Sequence, residues 1–196
     1  DLINLFKIPA LLFLITVSFL VTFSFAGFET TFALWTERAM SWASKQTGYA
    51  FAFTALLAAL IQGIFIGKLT KAFGELKLLI TSCFLMLIGL FFITLSIQNL
   101  FYLVFSLGIL GISVGLGNPS LNSLLSKNLN KNIIGTSFGV VQSVGSLARI
   151  LSPLLAGNLF YFFGINSPYS LGAFLMFISL FLFFYYFIFL KRNLKI

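Results

Sequence analysis

Six long apolar runs occupy most of this chain of 196 residues, and they limit its fold more than any other feature of the sequence. Each run holds about 20 or more residues, enough at roughly 1.5 Å of rise per residue to cross a hydrocarbon core. Only helices and closed barrels satisfy their backbone groups in lipid, and barrel strands alternate apolar with polar residues. These runs do not alternate, so we predict an all-α integral membrane protein. The predicted spans cover about residues 8–34, 48–67, 76–97, 100–125, 135–163 and 168–190.

The composition offers little material for an enzyme site. The chain has no histidine, four acidic residues and one cysteine, Cys83, which lies inside an apolar run. A metal centre, a histidine-based triad and an internal disulfide are therefore not expected. We expect a protein that is not an enzyme and that has no cofactor and no metal.

The net charge of +8 is explained by where the basic residues lie. If the spans run in series from an inner amino end, the outer connections hold only Arg38 and Lys45. This asymmetry follows the positive-inside rule, so we expect both ends of the chain in the cytoplasm and no nucleic-acid partner. The inner basic residues are Lys7, Lys68, Lys71, Lys77, Lys127, Lys131, Lys191, Arg192 and Lys195.

Several aromatic residues fall near the predicted outer ends of the spans. Tryptophan and tyrosine favour the lipid–water interface, so we expect these side chains to sit at headgroup level. They are Trp35, Trp42, Tyr49, Tyr102, Tyr161 and Tyr169.

The connections between the runs are short. Gln98 and Asn99 alone separate the third run from the fourth, which predicts a tight antiparallel hairpin. The sequence contains no linker or soluble segment, so residues 1–196 are predicted to form a single six-helix unit. The first residue is Asp1 rather than Met, and we expect the chain to be a piece of something longer.

Small residues recur at spacings that let helices approach closely. Gly111 and Gly115 form one small-xxx-small pair, and Gly135 and Gly139 form another. Both pairs are predicted to mark helix contacts.

The fifth run carries a polar stripe. Gln142, Gly145, Arg149 and Pro153 recur at three- and four-residue steps and therefore share one helix face. A small and polar face with a proline suits a helix that moves against its neighbours or lines a cavity.

Two charged residues, Glu29 and Arg149, lie away from the inner ends of the spans. An ionised side chain at bilayer depth costs about 2.5 to 3.5 kcal/mol on insertion scales, so each needs a partner, a hydrated cavity or a functional role. Their heights above the inner helix ends are roughly 31 Å for Glu29 and 21 Å for Arg149. The two can form an ion pair if Arg149 reaches outward, or each can face water separately. Two further alternatives are that Arg149 binds backbone carbonyls near Pro153 and that Glu29 lies at the outer interface.

Uncharged polar residues inside the other spans have two possible roles. Interhelical hydrogen bonding, worth around 0.6 kcal/mol each, is one, and lining a cavity is the other. The residues are Ser18, Thr22, Gln62, Asn118 and Asn122.

Five segments keep an order and spacing that point to one family. They are "FAGFETTFALWTE", "TGYAFAFTALLAALIQGIFIGKL", "GKLTKAFGELK", "GNPSLNSLLS" and "GTSFGVVQSVGSLARILSP". Together they resemble the carboxy-terminal half of a major facilitator superfamily transporter. More narrowly, they are similar to the drug:proton antiporter branch that includes tetracycline-efflux proteins.

The resemblance implies two inverted three-helix repeats, which make half of a twelve-helix fold. It implies proton-coupled efflux of small amphipathic compounds by alternating access, in a bacterial inner membrane. The partners would be substrate, protons, lipid and a missing amino-terminal half. Candidates to line the cavity or couple transport are Ser18, Thr22, Glu29, Gln62, Asn118, Asn122, Gln142 and Arg149, with Glu29 the best acidic candidate for proton coupling.

The same resemblance carries the family's gating loop to Gly67, Gly74 and Lys77. Where the family's loop has an aspartate followed by an arginine, this chain has Lys71 and Ala72. The charge relay attributed to that loop therefore cannot operate here as written.

The fifth run resembles the family's Leu-Ala-Arg-x-x-Gly-Pro element at Leu147, Ala148, Arg149 and Pro153. Ser152 stands where the element has glycine. This departure weakens the prediction of a hinge at that point.

Other functions stay open at the level of sequence. The chain could be a non-transporting structural or interaction subunit, a remnant of a split transporter, or a half-size carrier that works as a homodimer. It could also be the permease of an ATP-driven transporter whose ATPase is a separate chain, since no Walker motif occurs here. An upstream reading frame with six more spans would favour transport by a twelve-helix protein.

Overall fold

The computed structural model describes residues 9–128 and 133–186. This part of the chain contains six helices long and apolar enough to cross a membrane, which confirms the predicted fold class. The ends predicted at residues 8 and 190 lie outside the described residues, as do Lys7, Lys131, Lys191, Arg192 and Lys195. The helices are α1 (Pro9–Met40), α2 (Ser44–Phe73), α3 (Glu75–Thr94), α4 (Leu100–Asn128), α5 (Ile134–Phe162) and α6 (Ser167–Tyr185).

Helix α2 runs past its predicted end at Gly67 and stops only at Phe73. A π-helical turn, Ile61–Phe65, interrupts the helix, which resumes at Ile66, continues through Gly67 and ends just before Gly74. Gly74 has a φ of 80°, a conformation that glycine adopts without strain, and it forms the whole connection to α3. The inner end of α2 is therefore helical, and the predicted loop is reduced to one residue.

Helices α3 and α4 form the predicted antiparallel hairpin and pack more extensively than any other pair in the described part of the chain. Asn99 begins α4, because its side-chain oxygen accepts hydrogen bonds from the backbone N–H groups of Phe101 (3.1 Å) and Tyr102 (3.3 Å). Gln98, just before it, has a φ of 54°, which turns the chain sharply enough for two long helices to pack side by side.

The helix pairing reveals two inverted three-helix repeats, α1–α3 and α4–α6. The contact of α5 with α1 is equivalent to the contact of α2 with α4. In the same way, the contact of α6 with α1 is equivalent to the contact of α3 with α4. Helices α3 and α6 occupy equivalent places and contact each other, whereas α1 barely touches α2 and α4 barely touches α5. Each repeat is thus held together mainly by helices of the other repeat. The equivalent helices α2 and α5 are left as the two least buried of the six.

An aromatic cluster closes one end of the core. Trp35 and Tyr169 are fully buried there and pack edge to face, which corrects the prediction that they lie at the lipid–water interface. The Trp35 indole N–H donates a hydrogen bond of 2.8 Å to the Asn166 side-chain oxygen, and the Asn166 amide donates one of 3.2 Å to the Thr94 carbonyl. These polar partners let the rings pack inside, joining α1, α3 and the start of α6.

Candidate functional site

A cavity of about 280 Å³ lies between α1, α4 and α5; we call it the polar cavity. Helix α1 supplies Thr22 and Glu29 to its wall, α4 supplies Asn118 and α5 supplies Arg149. The structure therefore brings four of the eight predicted cavity residues together from three helices that are distant in the sequence. Apolar side chains complete much of the wall, among them Val21, Phe25, Ala26, Met86 and Val114.

A second cavity, of about 440 Å³, lies between α1, α2 and α4; we call it the aromatic cavity. Phe25 and Phe28 of α1 and Phe51 of α2 line it, together with a strip of small residues on α2. Gln62, another predicted residue, adds the amide group and stands in the π-helical turn of α2. The chamber thus offers aromatic faces together with the polar side chains of Glu29, Thr54 and Gln62. The small residues are Ala55, Ala58 and Ala59.

The two cavities share a wall, formed by Phe25, Glu29 and Val114. Glu29 is the ionisable member of that wall, and its side chain is exposed rather than packed into the protein. A group bound in either cavity can therefore reach the same carboxylate.

Glu29 and Arg149 line the polar cavity without forming an ion pair, since the salt bridge found in the described ranges joins two other residues, Lys127 and Glu75. Neither side chain makes a hydrogen bond to another described residue, and Arg149 does not bind the backbone carbonyls near Pro153. Both charges are thus left available to water or to a ligand.

The remaining predicted residues lie apart from the two cavities. Ser18 is buried beside the polar cavity and lines a small void of about 30 Å³ that also touches Thr22 and Asn118. Asn122 and Gln142 are exposed and line none of these cavities.

The predicted packing glycines divide into two groups. A Cβ atom on Gly111 or Gly115 would meet α2 within 3 Å, so these two glycines let α4 approach α2 closely. Gly135 and Gly139 have no described atom within 4 Å of such a Cβ, because their face of α5 is open. Gly145 faces the Thr22 hydroxyl at an ordinary contact distance of 4.0 Å.

At the predicted gating loop, a Cβ atom added to Gly67 or Gly74 would meet no described atom within 4 Å. Lys77 is exposed. The charged contact at this end of the molecule is made by Glu75, which the sequence did not single out. Its carboxylate accepts hydrogen bonds from Lys127 and from the Ser123 hydroxyl (3.1 Å), and so joins the start of α3 to the end of α4.

Two groups of residues that line the cavities were not predicted from the sequence. Phe25 precedes Glu29 by four residues, one helical turn, and this spacing was a usable signal in the sequence. Ser82 and Met86 of α3 also line the polar cavity and are likewise one turn apart, but no predicted cavity residue on α3 marks their face. Their role depends on how α3 packs behind α1 and α4.

The six spanning helices and the polar cavity within them define a multi-pass membrane protein. A sequence model of the Major Facilitator Superfamily matches residues 5–195, and the chain belongs to this family. The match confirms the resemblance to this superfamily that the sequence segments indicate.

Known relatives support the same assignment. The chain is 27% identical over 148 residues to mouse Major facilitator superfamily domain-containing protein 10, covering 76% of this chain and 32% of that protein. It is 29% identical over 126 residues to the class C tetracycline resistance protein of Escherichia coli, covering 63% of this chain and 31% of that protein. The chain thus spans about a third of the length of these relatives.

Among solved structures, the chain is similar to the crystal structure of the human organic anion transporter MFSD10 (TETRAN). The TM-score is 0.82 at 26% sequence identity, and the match covers 88% of this chain and 40% of that one. The six helices therefore match a part of a larger transporter rather than a whole one.

Proposed function

We propose that this chain is the carboxy-terminal half of a secondary active transporter that exports small amphipathic compounds in exchange for protons. The observation that carries the proposal is the position of Glu29 on the wall shared by the polar and aromatic cavities. A carboxylate there can meet a substrate from either cavity and can bind or release a proton when water reaches it. Substrate and proton then compete for one group, which is the simplest basis for exchange.

The open faces of α2 and α5 support the proposal that a second six-helix unit completes the transport site. These two helices are the least buried of the six and occupy equivalent places in the two repeats. They also flank the cavities, since α2 lines the aromatic cavity and α5 carries Arg149. An amino-terminal half packed on both faces would close the cavities between two pseudo-symmetric units, as alternating access requires. In this proposal the protein lies in a bacterial inner membrane, with both ends of the six-helix unit in the cytoplasm.

The chemistry of the two cavities supports an amphipathic substrate. Phe25, Phe28 and Phe51 offer aromatic faces to an apolar body, and the adjoining polar cavity offers hydrogen-bonding and charged groups to a polar head. A substrate that spans the shared wall would use both.

Arg149 supports a second candidate for the substrate, an organic anion. Its guanidinium lines the polar cavity and has no carboxylate in ion-pair contact among the described residues. Human MFSD10, a relative in structure, is an organic anion transporter. A carboxylate or sulfonate on the substrate would give Arg149 the partner that it lacks in this chain.

The experiment uses inverted membrane vesicles containing the chain joined to its natural upstream sequence. A proton gradient energises the vesicles, and uptake of a fluorescent lipophilic cation and of a fluorescent organic anion is followed. The Glu29→Gln variant should lose gradient-driven accumulation at normal expression, because a glutamine cannot carry the proton. The matched control is Glu37→Gln, on the same helix but exposed and outside both cavities, which should accumulate substrate at the wild-type rate.

Other results would redirect the proposal. Undiminished accumulation by Glu29→Gln would exclude this carboxylate as the coupling group. Loss of anion uptake alone in Arg149→Gln would select the organic anion as substrate. If neither the joined chain nor the chain alone transports, a non-transporting subunit or remnant becomes the better explanation, whereas activity of the chain alone would indicate a homodimeric carrier.

A further inference from the structure

Ser152 makes a buried contact that joins α5 to the backbone of α1. Its side chain is fully buried, and its hydroxyl donates a hydrogen bond of 2.6 Å to the Phe23 carbonyl oxygen. Gly27 makes this approach possible, because a Cβ atom there would lie 3.0 Å from the Ser152 oxygen. The residue that departs from the glycine of the related element therefore forms a specific polar link between two helices.

The contacts between α1 and α5 show that the two helices run in parallel. Gly145 faces Thr22, Ser152 binds Phe23, and Ala156 lies against Gly27. The residue numbers rise together along both helices. A displacement of α5 along its axis would therefore change the distance between any residue on α5 and any residue on α1 in a predictable direction.

The hydrogen bond fixes how far apart the two cavity charges stand. Arg149 lies three residues before Ser152 on α5, and Glu29 lies six residues after Phe23 on α1. The contacts between α1 and α5 place the Arg149 backbone three to nine residues of helical rise from that of Glu29, roughly 4 to 14 Å along the parallel axes. Arg149 is therefore nearer than Glu29 to the amino-terminal ends of the two helices, and the two opposite charges line one cavity without an ion pair.

We infer that Ser152 is a positioning residue: its hydrogen bond to Phe23 holds α5 in the register that keeps Arg149 from pairing with Glu29. Opposite charges attract each other across the cavity that they both line, so α5 is drawn along α1 towards Glu29 unless something holds it. A hydroxyl bound to a backbone carbonyl resists that motion. The consequence for transport, that both charges stay free for substrate and proton, rests on the proposed function; the positional effect itself does not.

The test measures the register directly, with spin labels on cysteines at positions 12 and 161 of the joined chain. Leu12 and Tyr161 are both exposed, near opposite ends of α1 and α5, and the native Cys83 is replaced by serine. The contacts between α1 and α5 separate the labels by 20 to 26 residues of rise, roughly 30 to 39 Å along the axes, so a sliding motion changes their distance almost in full. In Ser152→Ala, we expect the distance to lengthen by between one residue and one turn, about 1.5 to 5.4 Å.

Two companion variants separate positioning from simple packing. In Ser152→Ala combined with Glu29→Gln, the wild-type distance should return, because the charge that draws Arg149 is gone. In Ser24→Ala, the distance should not change, since the Ser24 hydroxyl makes the same kind of interhelical bond (3.3 Å) but to the Gly172 carbonyl of α6. An unchanged distance in Ser152→Ala, or a shift that persists in the double variant, would overturn the inference.

The vesicle assay is run in parallel to keep the two proposals apart. Ser152→Ala should slow gradient-driven accumulation about tenfold, the order of magnitude expected for one lost buried hydrogen bond. If the distances behave as expected but no form of the joined chain transports, the positioning role stands and the proposed function fails. A wild-type rate of accumulation in Ser152→Ala, together with a changed distance between the labels, would show that the register of α5 does not affect transport.

Discussion

Helices α2 and α4 meet through glycines, whereas α1 and α5 meet through a serine hydroxyl, although the two pairs occupy equivalent places in the two repeats. At the first interface, a Cβ on Gly111 would lie 2.6 Å from the Thr54 carbonyl oxygen, and one on Gly115 would lie 2.7 Å from the Ile61 Cβ. The second interface has one close glycine, Gly27, and its nearest neighbour is a side-chain hydroxyl.

The two interfaces therefore differ in how far their contacts can adjust: the α2–α4 contact cannot, and the α1–α5 contact can. The Thr54 carbonyl against Gly111 is a backbone group that cannot rotate away, so the α2–α4 contact leaves little room for adjustment there. A hydroxyl can rotate and exchange its partner, so the α1–α5 interface can be altered at the cost of one hydrogen bond. Glu29 and Arg149 lie on opposite sides of that adjustable interface, while the rigid pair contributes the aromatic cavity with Gln62. The chain therefore places its charges beside the interface that a side-chain hydrogen bond holds.

The largest effect is expected for Gly111→Ala. The added methyl group meets a backbone oxygen that cannot turn aside, so α4 must move away from α2. Overpacking of this kind costs about 1 to 3 kcal/mol. The midpoint of thermal unfolding of the joined chain in detergent should fall markedly. Gly139→Ala is the matched control, because a Cβ there meets no described atom within 4 Å and its midpoint should stay unchanged or rise. Equal midpoints for the two variants would refute the distinction between the interfaces.

These glycines also show what the sequence could and could not predict. The spacing of Gly111 and Gly115 is the same as that of Gly135 and Gly139, and both pairs were expected to pack. The first pair contacts α2 and the second lies open. Spacing within one helix predicts which residues share a face, but it does not reveal whether another helix meets that face.

The fold was predictable to a greater extent than the site. Length and apolarity alone identify six spans, because lipid leaves the backbone almost no alternative to helix. The end of α2 was misjudged because lysines suggested a loop, whereas a helix can carry Lys68 and Lys71 on its exposed side.

For the site, the charges inside spans singled out Glu29 and Arg149, and the structure places both on the wall of one cavity. Ser152 was read only as a missing glycine, because its role depends on a carbonyl group 129 residues away in the sequence. Contacts of that kind follow from the pairing of α1 with α5, and no pattern within either helix encodes them.

An intermediate effect is expected for Gly27→Ala. The new Cβ would lie 3.0 Å from the Ser152 oxygen and 3.5 Å from the Ala156 Cβ, so the hydroxyl must turn away and give up its bond to Phe23. The loss should be about 1 kcal/mol, the net contribution of one hydrogen bond. Because both changes remove the same bond, the double variant Gly27→Ala with Ser152→Ala should unfold little below either single variant. Fully additive losses would mean that the two residues act independently.

The smallest effect is expected for Gly145→Ala, one turn before Arg149 on α5. The nearest described atom is the Thr22 hydroxyl oxygen at 4.0 Å, an ordinary contact, so the methyl group displaces nothing. Alanine is favoured over glycine within a helix by up to about 1 kcal/mol, so the unfolding midpoint should hold or rise slightly. If stability holds while vesicle transport falls, the glycine gives α5 room to move during the cycle. If stability falls as far as in Gly111→Ala, α5 must pack there against a surface outside this six-helix unit, which is where the second half of the transporter is proposed to lie.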